Sequence, residues 1–281
     1  GYDTESNNLA IGVAALGGSV AGGEYNVAIG NNALDALTSA DQNTVVGYQS
    51  GSAVTTGGSN AFLGYQTGLA NTTGYDNVFI GNKAGLANTT GHGVIAIGQT
   101  AYDAADTEVD NLAIGRDALG GAVAGGEQNL AIGNYSMDAA QTGDFNVAVG
   151  MYALTAGTSA DSNIAIGHGS AETLTQGNHN ICIGRQASAY DGNDLTTGTA
   201  NICIGNFTKV SAADAEYQLV LGYYLAASEN NQFIFGKASN TVANEFDTDN
   251  AWTQSSDVRK KKNIKDAVLG LDFVNDLRPV T

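Results

Sequence analysis

Proline occurs once and cysteine twice in 281 residues, and lysine plus arginine together number only 11. Each shortage excludes a class. One proline beside 38 glycines fits neither collagen nor a proline-rich disordered chain. Two cysteines cannot build the disulfide framework that holds small secreted folds together. Positive charge is scarce: 28 acidic groups leave a net charge of −17, which argues against binding nucleic acid or an anionic membrane surface through phosphate contacts. No uninterrupted apolar run approaches the ~20 residues of a membrane helix, so membrane insertion is not expected. An initiator methionine and a basic-then-apolar leader are both missing, which reads as a mature piece or an excised fragment.

The few basic residues are unevenly placed. Six of the 11 (Arg259, Lys260, Lys261, Lys262, Lys265 and Arg278) fall in the last 23 residues. An acidic body carries a short basic appendix, with a boundary near residue 255.

The body is repetitive. A five-residue phrase, Asn–aliphatic–small–aliphatic–Gly, recurs fourteen times, from Asn8 (NLAIG) and Asn26 (NVAIG) to Gln218 (QLVLG) and Gln232 (QFIFG). Its closing glycines are 17 or 18 residues apart from Gly12 to Gly184, then 21, 17 and 14. A longer duplication, NLAIG-x-x-ALGG-x-VAGGE-x-N, begins at Asn8 and again at Asn111. A unit this short cannot hold a helix–turn–helix. It suits one coil of a β-solenoid, with two short strands and two turns per coil.

Side chains alternate along a strand, so the second and fourth residues of the phrase share a face. Pairs such as Leu9/Ile11, Val78/Ile80 and Phe233/Phe235 are expected to fill the interior of a narrow coil. The third residue after the glycine is small (Ala33, Ser50, Ala84, Ala118, Ala153) and is expected to face inward from the second strand. The middle position of the phrase is then expected to face outward, yet it is apolar: Ala10, Ala28, Val45, Phe62, Phe79, Ala131, Cys182, Cys203, Val220 and Ile234 among its members. A strand apolar on both faces is buried on both faces. These ten residues are therefore expected to line an interface between copies of the chain.

The invariant glycine is explained by a corner with positive φ or by close approach of the next coil. No phosphate-cradling phrase opens a helix, so nucleotide binding is not expected. Asn opens eleven copies, and stacked amides form hydrogen-bonded ladders; glycan contact is the functional rival. Threonines such as Thr38, Thr55, Thr72 and Thr89 precede each phrase by five residues, which reads as turn chemistry rather than an ice-binding array. Glu127, Asp144 and Asp161 stack in three successive coils, either as a solvated acidic edge or as ligands to Ca²⁺; no other cofactor is expected. His92, His168 and His179 lie in no triad phrase. Cys182 and Cys203 occupy alanine slots in adjacent coils and read as small apolar fillers.

The tail reads QSSDVRKKKNIKDAVLGLDFVNDLRPVT from Gln254. Ile264, Val268, Leu271, Val274 and Leu277 recur at helical spacing before Pro279, which predicts a short C-terminal helical segment.

The phrase, over residues 8–236, resembles the head repeats of YadA-like trimeric adhesins, with similar arrays in phage tail fibres. The resemblance implies an all-β fold, a left-handed parallel β-roll solenoid of about 14 coils, assembled as a homotrimer. The run Ser256-Asp257-Val258-Arg259-Lys260-Lys261-Lys262-Asn263-Ile264 resembles the opening of the endosialidase-type intramolecular chaperone domain. That family trimerises and helps to fold a β-structured body. Many members cleave themselves with a Ser–Lys dyad, which the resemblance maps onto Ser256 and Lys261. The division implied is a β-roll body at 1–236, a closing segment at 237–255 and the beginning of the chaperone domain at 256–281. The expected role is a rigid rod in a phage tail fibre or tail spike, located on the virion, touching other tail proteins and a host glycan or protein receptor. A bacterial surface adhesin and a tail-spike enzyme, self-cleaving at the tail or depolymerising glycan on the body, are the alternatives.

Overall fold

The computed structural model describes residues 7–121, 125–139, 141–192, 194–247 and 253–254. Fourteen short strands, from β1 (Leu9–Ile11) to β14 (Gln232–Lys237), coincide with the fourteen copies of the phrase and lie side by side in one parallel sheet. Each strand pairs with its neighbour in repeat register: Ala10 opposite Ala28, Val45 opposite Phe62, Cys182 opposite Cys203, Val220 opposite Ile234. Every repeat therefore climbs one strand spacing of about 4.8 Å. The product is an all-β parallel solenoid of about 13 turns, without helix among the described residues. Beyond β14 the chain reverses, and β15 (Asn240–Glu245) then β16 (Thr253–Gln254) add in antiparallel fashion. The parallel stack ends in a hairpin.

Each coil holds one strand, not the two expected. Two residues past each closing glycine the backbone enters the left-handed region, at Asn32, Gln49, Gln66 and Lys83 with φ of 52–59°. Two residues further on it does so again, at Leu34, Tyr102, Leu119 and Leu154. Recurrent left-handed residues bend the chain out of the extended conformation that a strand needs. This wall of the coil is instead held by backbone bonds between successive turns, such as Leu34 N–H to the Ser50 carbonyl at 3.2 Å and Leu154 N–H to that of Ser170 at 3.0 Å. The small residues of this wall do face inward as expected: Ala33, Ser50, Ala84, Ala118 and Ala153 are fully buried.

The facing of the strand is the reverse of the expectation. Ala28, Val45, Phe62, Phe79, Ala131, Cys182, Cys203, Val220 and Ile234 are buried within the coil of a single chain. Of the ten residues expected at the interface, only Ala10 is exposed, in the edge strand β1. The physical reason is an exchange of volume across the interior. Where the middle position is Ala28, the left-handed residue six places on is Leu34; where it is Phe62 or Phe79, that residue is Gly68 or Gly85. A Cβ built on Gly68 would lie 2.7 Å from the Phe62 ring, so the ring occupies the space that Leu34 fills in its own coil. Phe62 and Phe79 stack inside the solenoid with centroids 4.9 Å apart and planes inclined by 6°.

The corner glycine meets both requirements proposed for it. Gly47 has φ of 139°, and a Cβ there would overlap the carbonyl oxygen of Gly64 in the next coil. No L-residue with a side chain fits that corner.

Candidate functional site

With the middle positions inside, the second and fourth residues of every phrase form the outer face of the sheet. Of these 28 positions only Thr44 is polar, and none is buried. Ile11 is 55% exposed and Leu63 51%, and Leu9, Ile80, Ile95, Ile166, Ile204 and Phe235 are also exposed. Two apolar ranks thus run along the whole stack, over roughly 60 Å at ~4.8 Å per step. An apolar patch of this length on a water-facing surface marks an interaction site.

The polar ladders serve the coil itself. The Asn43 side-chain Oδ1 accepts the backbone N–H of Asn60 at 3.0 Å and the Asn60 Nδ2 at 3.1 Å, while Asn60 Nδ2 also donates to the Gly74 carbonyl at 2.9 Å. The pattern repeats along the stack, for example from Asn146 to Asn163 and from Asn163 to Asn180. These amides are buried. Where Val94 interrupts the series, the Tyr102 hydroxyl accepts from Asn111 Nδ2 at 3.1 Å and donates to the Glu108 carbonyl at 3.2 Å. The threonine hydroxyls donate to the next coil, Thr38 to the Thr55 carbonyl at 2.9 Å and Thr72 to that of Thr89 at 3.1 Å. This rank is a ladder between coils, not the local turn chemistry expected of it.

The acidic rank has a function that sequence reasoning missed. Asp144 Oδ1 accepts the backbone N–H of Glu127, and Asp161 Oδ1 accepts that of Asp144, both at 2.8 Å. Asn178 continues the series by accepting from Asp161 N–H at 2.8 Å, and Asp41 accepts from Glu24 N–H at 2.7 Å. The signal was available: Asn178 and Asn230 stand in register with the acids, and only an acceptor oxygen two bonds from Cβ is common to Asp and Asn. Among the described residues no group of three or more His, Cys, Asp or Glu side chains is arranged to hold a metal ion.

Cys182 and Cys203 are buried free thiols in register on neighbouring strands. Their mutual hydrogen bond, then burial, push the Cys182 thiol well above the usual range. The histidines are scattered: His92 stacks on Tyr75 at 4.5 Å, and His168 meets the edge of Tyr152 at 6.0 Å. Ser256 and Lys261, with the predicted helical segment, lie outside the described residues. No family model matches the chain, and no curated protein and no solved structure matches it either.

Proposed function

We propose that the chain is a structural and adhesive rod, three copies of which pack their outer sheet faces around a common axis as part of a phage tail fibre or tail spike that attaches to a host surface. The observation that carries this reading is the double apolar rank from Leu9 and Ile11 to Phe233 and Phe235, exposed or half-buried and nowhere buried along a sheet of parallel strands. Parallel sheets are ordinarily covered on both faces, and here one chain covers only the inner face. Burying aliphatic side chains is worth roughly 25 cal/mol per Å², and the two ranks supply such side chains at nearly every step. The three-fold arrangement and the setting in a virion come from the resemblance of the repeats and of the tail to trimeric families.

Size-exclusion chromatography with light scattering tests the assembly. Three times the chain mass of 28.6 kDa is expected; a soluble folded monomer or a two-fold dimer would overturn the trimer. Leu63→Asp separates the face from the fold, because this side chain points away from the coil interior. An unpaired carboxylate in a dry seam costs several kcal/mol. The variant should lower the measured mass while its circular dichroism stays that of the unmodified rod.

A further inference from the structure

The outer edge just past the corner glycines carries a second feature that the fold does not require. In seven successive coils this edge presents Arg116, Tyr135, Tyr152, His168, Arg185, Phe207 and Tyr224, each one or two residues after its glycine. The Arg116 guanidinium lies 4.7 Å above the Tyr135 ring, and Tyr135 stacks on Tyr152 at 5.3 Å with planes inclined by 9°. The arrangement then recurs: the Arg185 guanidinium lies 4.5 Å above Phe207, which stacks on Tyr224 at 4.5 Å and 23°. His168 stands between the two groups. In earlier coils the same places hold Asn31 and Asn32, or Gln99 and Thr100, so corner geometry is satisfied by short polar residues; Tyr48 and Tyr65 also stack there at 5.5 Å, and it is the two arginines over rings that set the later rank apart. Phe207 is buried and serves packing, but Tyr224 is 41% exposed, its neighbour Tyr223 51%, and both arginines are exposed.

Charge narrows the ligand. Residues 1–258 contain only two arginines, and both lie on this edge. Each is stacked on a ring rather than sunk in a buried ion pair, although Arg116 also meets Asp117 at 3.6 Å. The rank spans roughly 29 Å at ~4.8 Å per coil, with the arginines four coils apart. A nucleic acid strand, with a phosphate about every 3.4 Å, would be repelled by the acidic body between those two cations. A polymer with sparse negative charge and many hydroxyls fits better. The faces of Tyr152 and Tyr224 are taken by neighbouring rings, so these tyrosines offer their edges and polar rims, which match the hydroxyl rim of a sugar ring.

We propose that this edge binds a linear polysaccharide that carries carboxylates on its sugar rings, the sugar hydroxyls meeting the rims of Tyr152 and Tyr224 and the carboxylates meeting Arg116 and Arg185. The site deepens the attachment role proposed above and rests on it for its purpose. Affinity electrophoresis of the full chain through gels containing hyaluronan or unsulfated chondroitin, whose carboxylates stand on alternate rings, or neutral dextran tests it. Retardation by at least one carboxylated polymer and none by dextran is expected. Arg185→Ala and Tyr152→Ala should each weaken it about tenfold, whereas Tyr48→Ala, in a coil outside the rank, should leave it unchanged. Light scattering on the same samples distinguishes lost assembly from a lost site. Failure of both carboxylated polymers to retard the chain, equal retardation by dextran, or undiminished binding by the two variants would overturn the proposal.

Discussion

At the scale of single residues, the solenoid repeats a few bonds until they become walls. The Asn60 amide receives and returns bonds in both directions along the stack and is 1% exposed. Removing it leaves the Gly74 carbonyl and the Asn77 N–H without their partner. A buried group left unsatisfied costs about 1–3 kcal/mol, so Asn60→Ala should lower the unfolding free energy by that order, read from denaturant titration. The two thiols make a second case. Cys182 and Cys203 are enclosed, and the mutual bond that raises the Cys182 thiol also disfavours its thiolate, the reactive form. Ellman's reagent should find no accessible thiol in the native chain and two after denaturation. Rapid native labelling would mean that this part of the stack opens.

At the scale of the coil, stability depends on matching volumes across a narrow interior. Phe62→Ala should cost about 3–5 kcal/mol through the cavity it leaves. Gly68→Leu alone should also destabilise, because the new side chain meets the Phe62 ring. Combined, the two changes reproduce the Ala28/Leu34 pair, whose leucine already adopts φ of 50° against 56° at Gly68. The double variant should therefore be more stable than either single one, and additive losses would refute the volume exchange. This exchange also explains how far the sequence could be read. The repeat, the strand on each phrase, corner glycines, asparagine ladder and inward small residues were legible, because each recurs with the coil period; the second strand expected in each coil is absent, because left-handed residues interrupt that wall. Facing was not legible. Both faces of phrases such as NVFIG are apolar, so alternation defines two faces without saying which is inside. The residues that let Phe62 and Phe79 face inward, Gly68 and Gly85, lie six places away on another wall. The outer apolar face was thus anticipated as a property of the strand but assigned to the wrong rank.

At the scale of the whole molecule, the dominant electrostatic fact is an acidic chain with net charge −17. Such an excess repels itself in the compact state. Three carboxyls add a specific contribution. Burial raises Asp35, Asp103 and Asp138 above the usual carboxylate value, and the neighbouring Asp117 raises the last two further. For an acid raised in the folded state, the native chain takes up its proton at a higher pH than the unfolded chain. Stability therefore rises as pH falls through the native values and declines again as pH climbs past them. Each of the three charged forms carries a desolvation penalty in the folded chain that protonation removes. As pH falls, the window opens toward the unfolded carboxylate value of 3.8, and overall repulsion falls over the same range. The melting temperature followed by circular dichroism should thus be higher at pH 5 than at pH 7, opposite to the acid sensitivity of a fold held by paired carboxylates. Added salt at pH 7 should recover part of the difference by screening long-range repulsion, but not the part due to burial. Asp103→Asn with Asp138→Asn should raise the melting temperature at pH 7 and shrink its change between the two pH values. A melting temperature that falls steadily from pH 7 to pH 5 in the unmodified chain would show that acid-sensitive contacts outweigh these three carboxyls.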